Sequence, residues 1–565
     1  MILIKHFPAL QVLLPFFGAL FSILTFRYVL VTRIIAVISI ALSLFLSIYG
    51  LSVINKDSVS YDFGNWHAPI GIEYKLDYLN QPIITYINGV LLFFLIFCNK
   101  LLATTVLKFI DKKRQSLFYA LLLFAHSGYL GILSTNDLFN LYVFIEISSL
   151  SAYALMAQGN NPKAVIGAFD YLMLGTVGAT LILIAIGFLL SSTGSLNMSD
   201  ISMLLQTNYD CKIVKLAISF FLIGAILKTA FFPMHFWMIR SYSSVAPVIL
   251  TYLASISSIM GLYIILRFIH FTIDYSIIIN DLAIFIKPIA LVTIILCTYF
   301  ACRSKEKVRN IVIYSSAVQI GYIFLLLVVP RGELILTPFL LADSLNKIAL
   351  FLIIAYFDTH SVPSIVNSGG FGARSDGATP ISNRRATSDD VTNFSSIDYT
   401  SMLWRVLVVF SLICSCGLPI SSMFFIKLSI FELLIVENLW LELVIVVISS
   451  AMSLLYHYKI AKKLCWHHSN YTANPTNIMP NSQLSLRGAT YSSDEAIQEN
   501  NKIGLLRRLT PSRNDASLLW LNANHSNYTL LQSNTKYKYY GLIFVSVIQL
   551  LLPIFLNQLQ LLGGR

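Results

Sequence analysis

Residues 224–238 read GAILKTAFFPMHFWM. Lys228 stands inside an apolar run, and Pro233 follows it by five residues. A charged side chain at mid-membrane depth costs ~2.5–3.5 kcal/mol on insertion scales, so it needs a partner or a wet cavity. A proline in the same run removes a backbone donor and disrupts the helix. In lipid such a break is tolerated only where protein or water satisfies the freed groups. The combination returns at 417–434, GLPISSMFFIKLSIFELL, where Lys427 follows Gly417 and Pro419. A broken helix beside a buried lysine, occurring twice, is the pattern of an ion site at the midplane of a repeat-built transporter.

The rest of the chain supplies the bilayer setting. Its 565 residues are 56% hydrophobic and 12% charged, whereas soluble domains carry about 25% charged residues. Runs long enough to cross a ~30 Å hydrocarbon core recur throughout. Fourteen spans are expected, at 9–26, 31–53, 82–107, 116–134, 138–158, 163–190, 214–239, 244–269, 282–302, 310–329, 334–357, 402–434, 439–459 and 539–560. The first is taken as a retained helix, since no small-residue cleavage site follows it. Loops after odd-numbered spans carry the basic residues, from Arg27 and Arg33 to Lys459, Lys462 and Lys463. The alternate loops carry acids such as Asp57, Asp62, Glu73 and Asp77. The positive-inside rule then puts both termini outside the cytoplasm, and the expected location is a bacterial inner membrane.

Other function classes find no support. The net charge of +12 sits in short loops between apolar runs, a topology signal rather than a nucleic-acid footprint. The seven cysteines, at 98, 211, 297, 302, 414, 416 and 465, form no CxxC or Cys/His cluster, so no metal or iron–sulfur site is expected. Residues 369–377, GGFGARSDG, lack the preceding strand and the lysine of a phosphate loop. The polar stretches 364–400 and 468–536 read as unstructured, being too poor in apolar residues to offset ordering entropy. No cofactor is expected, and no hydrolase triad is visible.

Two further ionisable residues lie in apolar spans. Glu146 sits in LYVFIEISSLSAYAL (141–155), and Lys347 in LADSLNKIALFL (341–352). Lys347 has a carboxylate, Asp343, four residues earlier on the same helix face, which favours a local ion pair. His235 follows Lys228 by about two helical turns and reads equally as a relay or as a hydrogen-bonded structural residue. A lysine held between desolvation and a nearby carboxylate is suited to proton work, because the two pull its proton affinity in opposite directions.

These motifs, with FGNWHAPIGIEYKLD (63–77), STGSLNMSDIS (192–202) and IYSSAVQIGYI (313–323), resemble the antiporter-like subunits shared by Mrp-type multisubunit Na+/H+ antiporters and respiratory complex I. The similarity covers roughly residues 60–460 and is greatest to the D-type component of the Mrp antiporter. It implies an all-α polytopic membrane protein of about 14 transmembrane helices, with two inverted five-helix repeats that each contain a broken helix. The implied organisation is helices 1–3 in 1–115 and a first repeat in 116–269. A second repeat occupies 270–460 and carries the 364–400 insert. A polar loop at 461–537 and a last helix at 538–565 follow. The resemblance further implies that Glu146 and Lys228 form the acid–lysine pair of a first half-channel, and that Lys347 and Lys427 serve a second half and its outlet to the outside.

The chain departs from the family pattern twice. Ile259, in ISSIMGLYIILR (256–267), stands where the eighth helix usually carries Lys or His. Ser257 and Ser258 beside it could hold water. Asp170 precedes Tyr171 where a Lys is usual. The expected function is therefore proton translocation in a monovalent cation/proton antiporter complex, with other membrane subunits as partners and protons and Na+ as substrates. The first rival is a proton-pumping membrane subunit of an NADH:quinone oxidoreductase or hydrogenase-like complex. This chain would perform no redox step there, since it holds no flavin, nicotinamide or iron–sulfur signature. The second is a structural or degenerate paralogue.

Overall fold

The computed structural model describes residues 6–54, 58–159, 161–208, 211–273, 275–304, 308–360, 402–419, 421–466 and 541–549. The 364–400 insert, nearly all of the 461–537 loop and residues 550–565 lie outside them. Eleven helices among the described residues are long and apolar enough to cross a membrane. This is the make-up of a polytopic helical membrane protein.

The N-terminal helices are α1 (Phe7–Leu24), α2 (Val29–Val53) and α3 (Asn80–Phe97). The third span expected from sequence, 82–107, is interrupted at Cys98 and continues as the short α4 (Asn99–Thr105). Between α2 and α3 lies an antiparallel hairpin, β1 (Val59–Asp62) and β2 (Glu73–Leu76), in the register Val59–Leu76 to Asp62–Glu73. Then follow α5 (Gln115–Ser134), α6 (Leu138–Met156), α7 (Pro162–Thr193), α8 (Met198–Asn208), α9 (Lys212–Thr229), α10 (Phe236–Ser244) and α11 (Pro247–Arg267). The remainder is α12 (Tyr275–Arg303), α13 (Val308–Leu327), α14 (Glu333–His360), α15 (Met402–Cys416), α16 (Ser422–Val436) and α17 (Trp440–Ala461), with a final helical stretch at 541–549.

Burial divides these helices into a centre and a rim. The spans of α5, α11, α13 and α14 are 83–94% buried, whereas those of α2, α6, α7, α12 and α17 are 28–44% buried. The rim keeps an apolar face outward, and the centre holds polar residues that lipid never reaches.

Small residues set the tightest contacts. A Cβ on Gly224 of α9 would lie 2.4 Å from the Gly178 carbonyl oxygen of α7, so the two backbones touch. Gly175 of α7 makes room for the Tyr153 hydroxyl of α6 in the same way.

A polar clasp closes one end of the bundle. The Asn136 amide donates to the Glu73 carbonyl at 2.9 Å, and the Met198 amide donates to the Asn136 carbonyl at 2.8 Å. The Asn136 and Asn197 side chains donate to the Glu73 carboxylate at 2.8 and 2.7 Å. Burial raises the Glu73 pKa, but hydrogen bonds from Ser60, Asn136 and Asn197 and the charge of Lys75 outweigh it, leaving the carboxyl below the ordinary glutamate value. Nearby, Arg267 at the end of α11 pairs with Asp77 at 2.5 Å, both buried.

Candidate functional site

The helix carrying Lys228 does break. α9 ends at Thr229, Ala230 takes a left-handed conformation (φ 56°), and α10 starts at Phe236. The break frees carbonyls at the α9 terminus. One is recovered by the Trp237 indole, which donates to the Leu227 carbonyl at 3.1 Å. Trp237 is itself held flat against Tyr171, with ring centroids 3.9 Å apart.

Lys228 is partly buried, and its Nζ donates to Ser149 Oγ at 3.2 Å. Glu146, the acid expected to accompany it, lies one turn earlier on α6 and makes no ion pair within 4 Å among the described residues. Its Oε1 is buried with no hydrogen-bond partner among them. Asp170 is not an uncompensated charge: Arg240 approaches it at 3.7 Å. His235 is buried against Phe232 and Phe236 and does not line the cavity described next.

That cavity lies between the two halves of the site. Lys228, Tyr242, Ser257, Ser258, Ser316 and Lys347 line it, and about 20 Å³ is open to the centre of a water molecule. This is space for about one water, which needs ~10–15 Å³ by that measure. On its far wall Lys347 pairs with Asp343 at 2.5 Å, as their spacing suggested, and donates to Ser258 Oγ at 3.0 Å. Tyr242 Oη and Ser257 Oγ are 3.2 Å apart. Ile259 is buried away from the cavity. The two hydroxyls immediately before it in sequence therefore occupy the wall between the lysines.

The second broken helix is built differently. α15 ends with Gly417 at φ 76°, where Leu418 N–H donates to the Ile413 carbonyl and Gly417 N–H to that of Cys414. This is the glycine-terminated Schellman arrangement. α16 restarts at a Ser421 cap, whose hydroxyl accepts from Phe424 N–H at 3.2 Å. Lys427, buried, folds back to donate to the Cys416 carbonyl at 2.7 Å and to Ser450 Oγ of α17 at 3.1 Å. It closes the polar end of the preceding half-helix, where a cation is electrostatically favoured.

Residues 135–453, which hold both broken helices and the cavity, match the family described as NADH:quinone oxidoreductase/Mrp antiporter, transmembrane. The chain belongs to that family. It is 29% identical over 463 residues to "NADH-quinone oxidoreductase subunit N" of Desulforudis audaxviator, covering 80% of this chain and 85% of the relative. It is 26% identical over 352 residues to the D component of the Na(+)/H(+) antiporter of Alkalihalophilus pseudofirmus, covering 61% and 67%. In fold it is similar to a chain of the Mrp complex from Dietzia sp. (TM-score 0.74, 18% identity, covering 100% and 97%) and to one of respiratory complex I from Thermus thermophilus (TM-score 0.58, 18%, 81% and 89%). The chain is thus an antiporter-like, multi-pass membrane subunit.

Within this family member, Lys228 and Lys347 meet at one cavity and Lys347 joins Asp343, while Lys427 and His235 lie apart from that group. Sequence reasoning did not single out Tyr242, Ser316, Ser450 or Trp237. Hydroxyls and a tryptophan in apolar spans carry no spacing signal. Their roles come from helices adjacent only in space.

Proposed function

We propose that this subunit translocates protons within a multisubunit monovalent cation/proton antiporter. The observation that carries the reading is the hydroxyl-lined cavity shared by Lys228 and Lys347. Among the described residues Lys228 is bound by a single hydroxyl and so is free to take up or release a proton beside Glu146. A proton on Lys228 repels one on Lys347 across the low-dielectric cavity. Asp343 offsets that charge at 2.5 Å. α14 packs directly on α16, so displacement at Lys347 is passed toward Lys427. Ser257 and Ser258 line a cavity with room for about one water where the eighth-helix lysine is missing, which argues against a degenerate paralogue.

In this reading the expected fourteen spans form two inverted repeats, 116–269 and 270–460, with the N-terminal helices 1–115 beside them. The basic loops face the cytoplasm of a bacterial cell, and both termini lie outside it. Lys228 is the switch, Glu146 its charge partner, Lys347 with Asp343 the central relay and Lys427 the distal one. His235 and Asp170 are secondary.

The test is complementation of a sodium-sensitive, antiporter-deficient strain with the chain and its neighbouring subunits. Wild type should restore growth, and Lys228→Ala should not. Equal rescue by both overturns Lys228 as the switch. The second reading, a proton-pumping membrane subunit of an NADH:quinone oxidoreductase, draws on the subunit N relative, which this chain matches over the greater length. Copurification with iron–sulfur subunits would favour it over the antiporter.

A further inference from the structure

Among the buried titratable residues left over by this scheme, one stands on the same helix face as Ser450, the partner of Lys427. His457 of α17 is 3% exposed. Its Nδ1 donates to the Ser453 carbonyl at 2.8 Å, which fixes the tautomer and leaves Nε2 with its lone pair. That Nε2 is buried and has no hydrogen-bond partner among the described residues. A buried lone pair without a protein partner is costly, and a water bridging it to neighbouring polar groups would satisfy it.

Its surroundings lead to Lys427. The Ser453 carbonyl that holds His457 also accepts from Cys416 Sγ at 3.9 Å, and the Cys416 carbonyl accepts from Lys427. Lys427 meets α17 at Ser450. Ser450, Ser453 and His457 follow at spacings of three and four, so they form one helix face. His457 is seven residues, about 10 Å, further along the axis than Ser450. The other end of α17 is closed by an ion pair, Lys287–Glu442 at 3.2 Å. Beyond His457 lies the end that carries Lys459, Lys462 and Lys463.

We propose that His457 is the proton relay of Lys427, connecting it to the face where α17 ends. The transfer is a plain proton exchange through intervening water. The Lys427 ammonium gives a proton that Nε2 of His457 accepts, leaving a neutral amine and an imidazolium, and the imidazolium then releases a proton from Nε2 to bulk water. Run backward, the same steps reload Lys427. The resemblance implied an outlet for Lys427 toward the outside. His457 adds an inlet from the opposite, basic-loop side. This inference rests on the reading of Lys427 as a relay.

The experiment measures proton uptake by proteoliposomes containing the purified complex, with thermal stability in detergent measured in parallel. The variants are His457→Phe, His457→Gln, Lys427→Ala and the double variant His457→Gln/Lys427→Ala. Both His457 variants should lose at least about tenfold in transport at near wild-type stability, as loss of a positioned proton carrier does. The double variant should be no slower than Lys427→Ala, since both groups serve one path. His457→Gln keeps a polar side chain and carries the test if His457→Phe fails to assemble. Wild-type transport by His457→Gln, with Lys427→Ala inactive, overturns the relay alone. So does transport that falls only in step with stability. Wild-type transport by Lys427→Ala instead overturns the role of Lys427, and the relay with it.

Discussion

The two broken helices solve one problem in opposite ways. At the first, the freed Leu227 carbonyl is taken by Trp237, and Lys228 is left with one hydroxyl partner among the described residues. At the second, the freed Cys416 carbonyl is taken by Lys427 itself. The first break also tolerates Ala230 at φ 56°, while the second uses Gly417 at φ 76°. A lysine that the backbone does not need can lose its proton without disturbing the fold. A lysine that caps a half-helix couples its protonation to the integrity of the break. Under the proposed function, the contrast favours Lys228 for switching and Lys427 for a more anchored task.

The sharpest way to break this contrast is the pair Lys228→Ala and Lys427→Ala. Transport should fall by ~10²–10⁴ for Lys228→Ala, the usual effect of deleting a proton-transfer group, with its melting temperature nearly unchanged. Lys427→Ala should lose transport and also ~1–3 kcal/mol of stability, because it orphans a buried carbonyl. Equal thermal effects would erase the distinction.

Glycine substitutions probe the two backbones next. Gly224→Ala should cost ~1–3 kcal/mol through overpacking against Gly178. Gly417→Ala should cost a similar ~1–3 kcal/mol from left-handed strain, and its Cβ would press on Lys427 at 3.1 Å. Only Gly417→Ala should alter transport beyond its stability effect. Denaturation curves with proteoliposome assays separate the two.

Smaller still is Ala230→Gly. Relief of the left-handed alanine is opposed by the greater chain entropy of an unfolded glycine, ~0.4–1 kcal/mol. The net gain in detergent melting should therefore be at most about a degree or two. A clear loss would mean that the Ala230 methyl, buried at the cavity wall, matters more than its strain.

The smallest effect concerns the clasp that holds the first half alone among the described residues. Glu73 has a lowered folded-state pKa. Its contribution is thus present above the ordinary glutamate value and is lost as the pH falls through the lower folded value. Glu73 is only half-buried, so solvent screening keeps the contribution small. Glu73→Gln should leave transport intact and flatten the acid limb of the stability profile. An unchanged limb would remove Glu73 from the clasp.

Much of the site was legible in the linear chain, and specific residues show why. Lys228, Lys347 and Lys427 stand out because a charge in an apolar run is costly wherever the helix goes. Asp343 could be paired with Lys347 because helical spacing alone puts them together. Ser149, Ser450 and His457 could not be read this way. Each matters through a neighbour 79, 23 or 30 positions away, and a hydroxyl or imidazole in a span has an ordinary interior reading. The interruption at Cys98 was also missed, since no proline or glycine marks it.

The sequence by itself determined that this is a membrane protein with broken helices and a few costly charges, since apolar length, proline and charge act locally. It also marked the gap at Ile259. Only the tertiary structure put the two serines beside that gap on a cavity wall facing lysines from two other helices. The same holds for which lysine caps a helix and which stays free. These are questions of which polar groups meet across helices, and the need to satisfy each buried donor and acceptor is settled only when the helices pack.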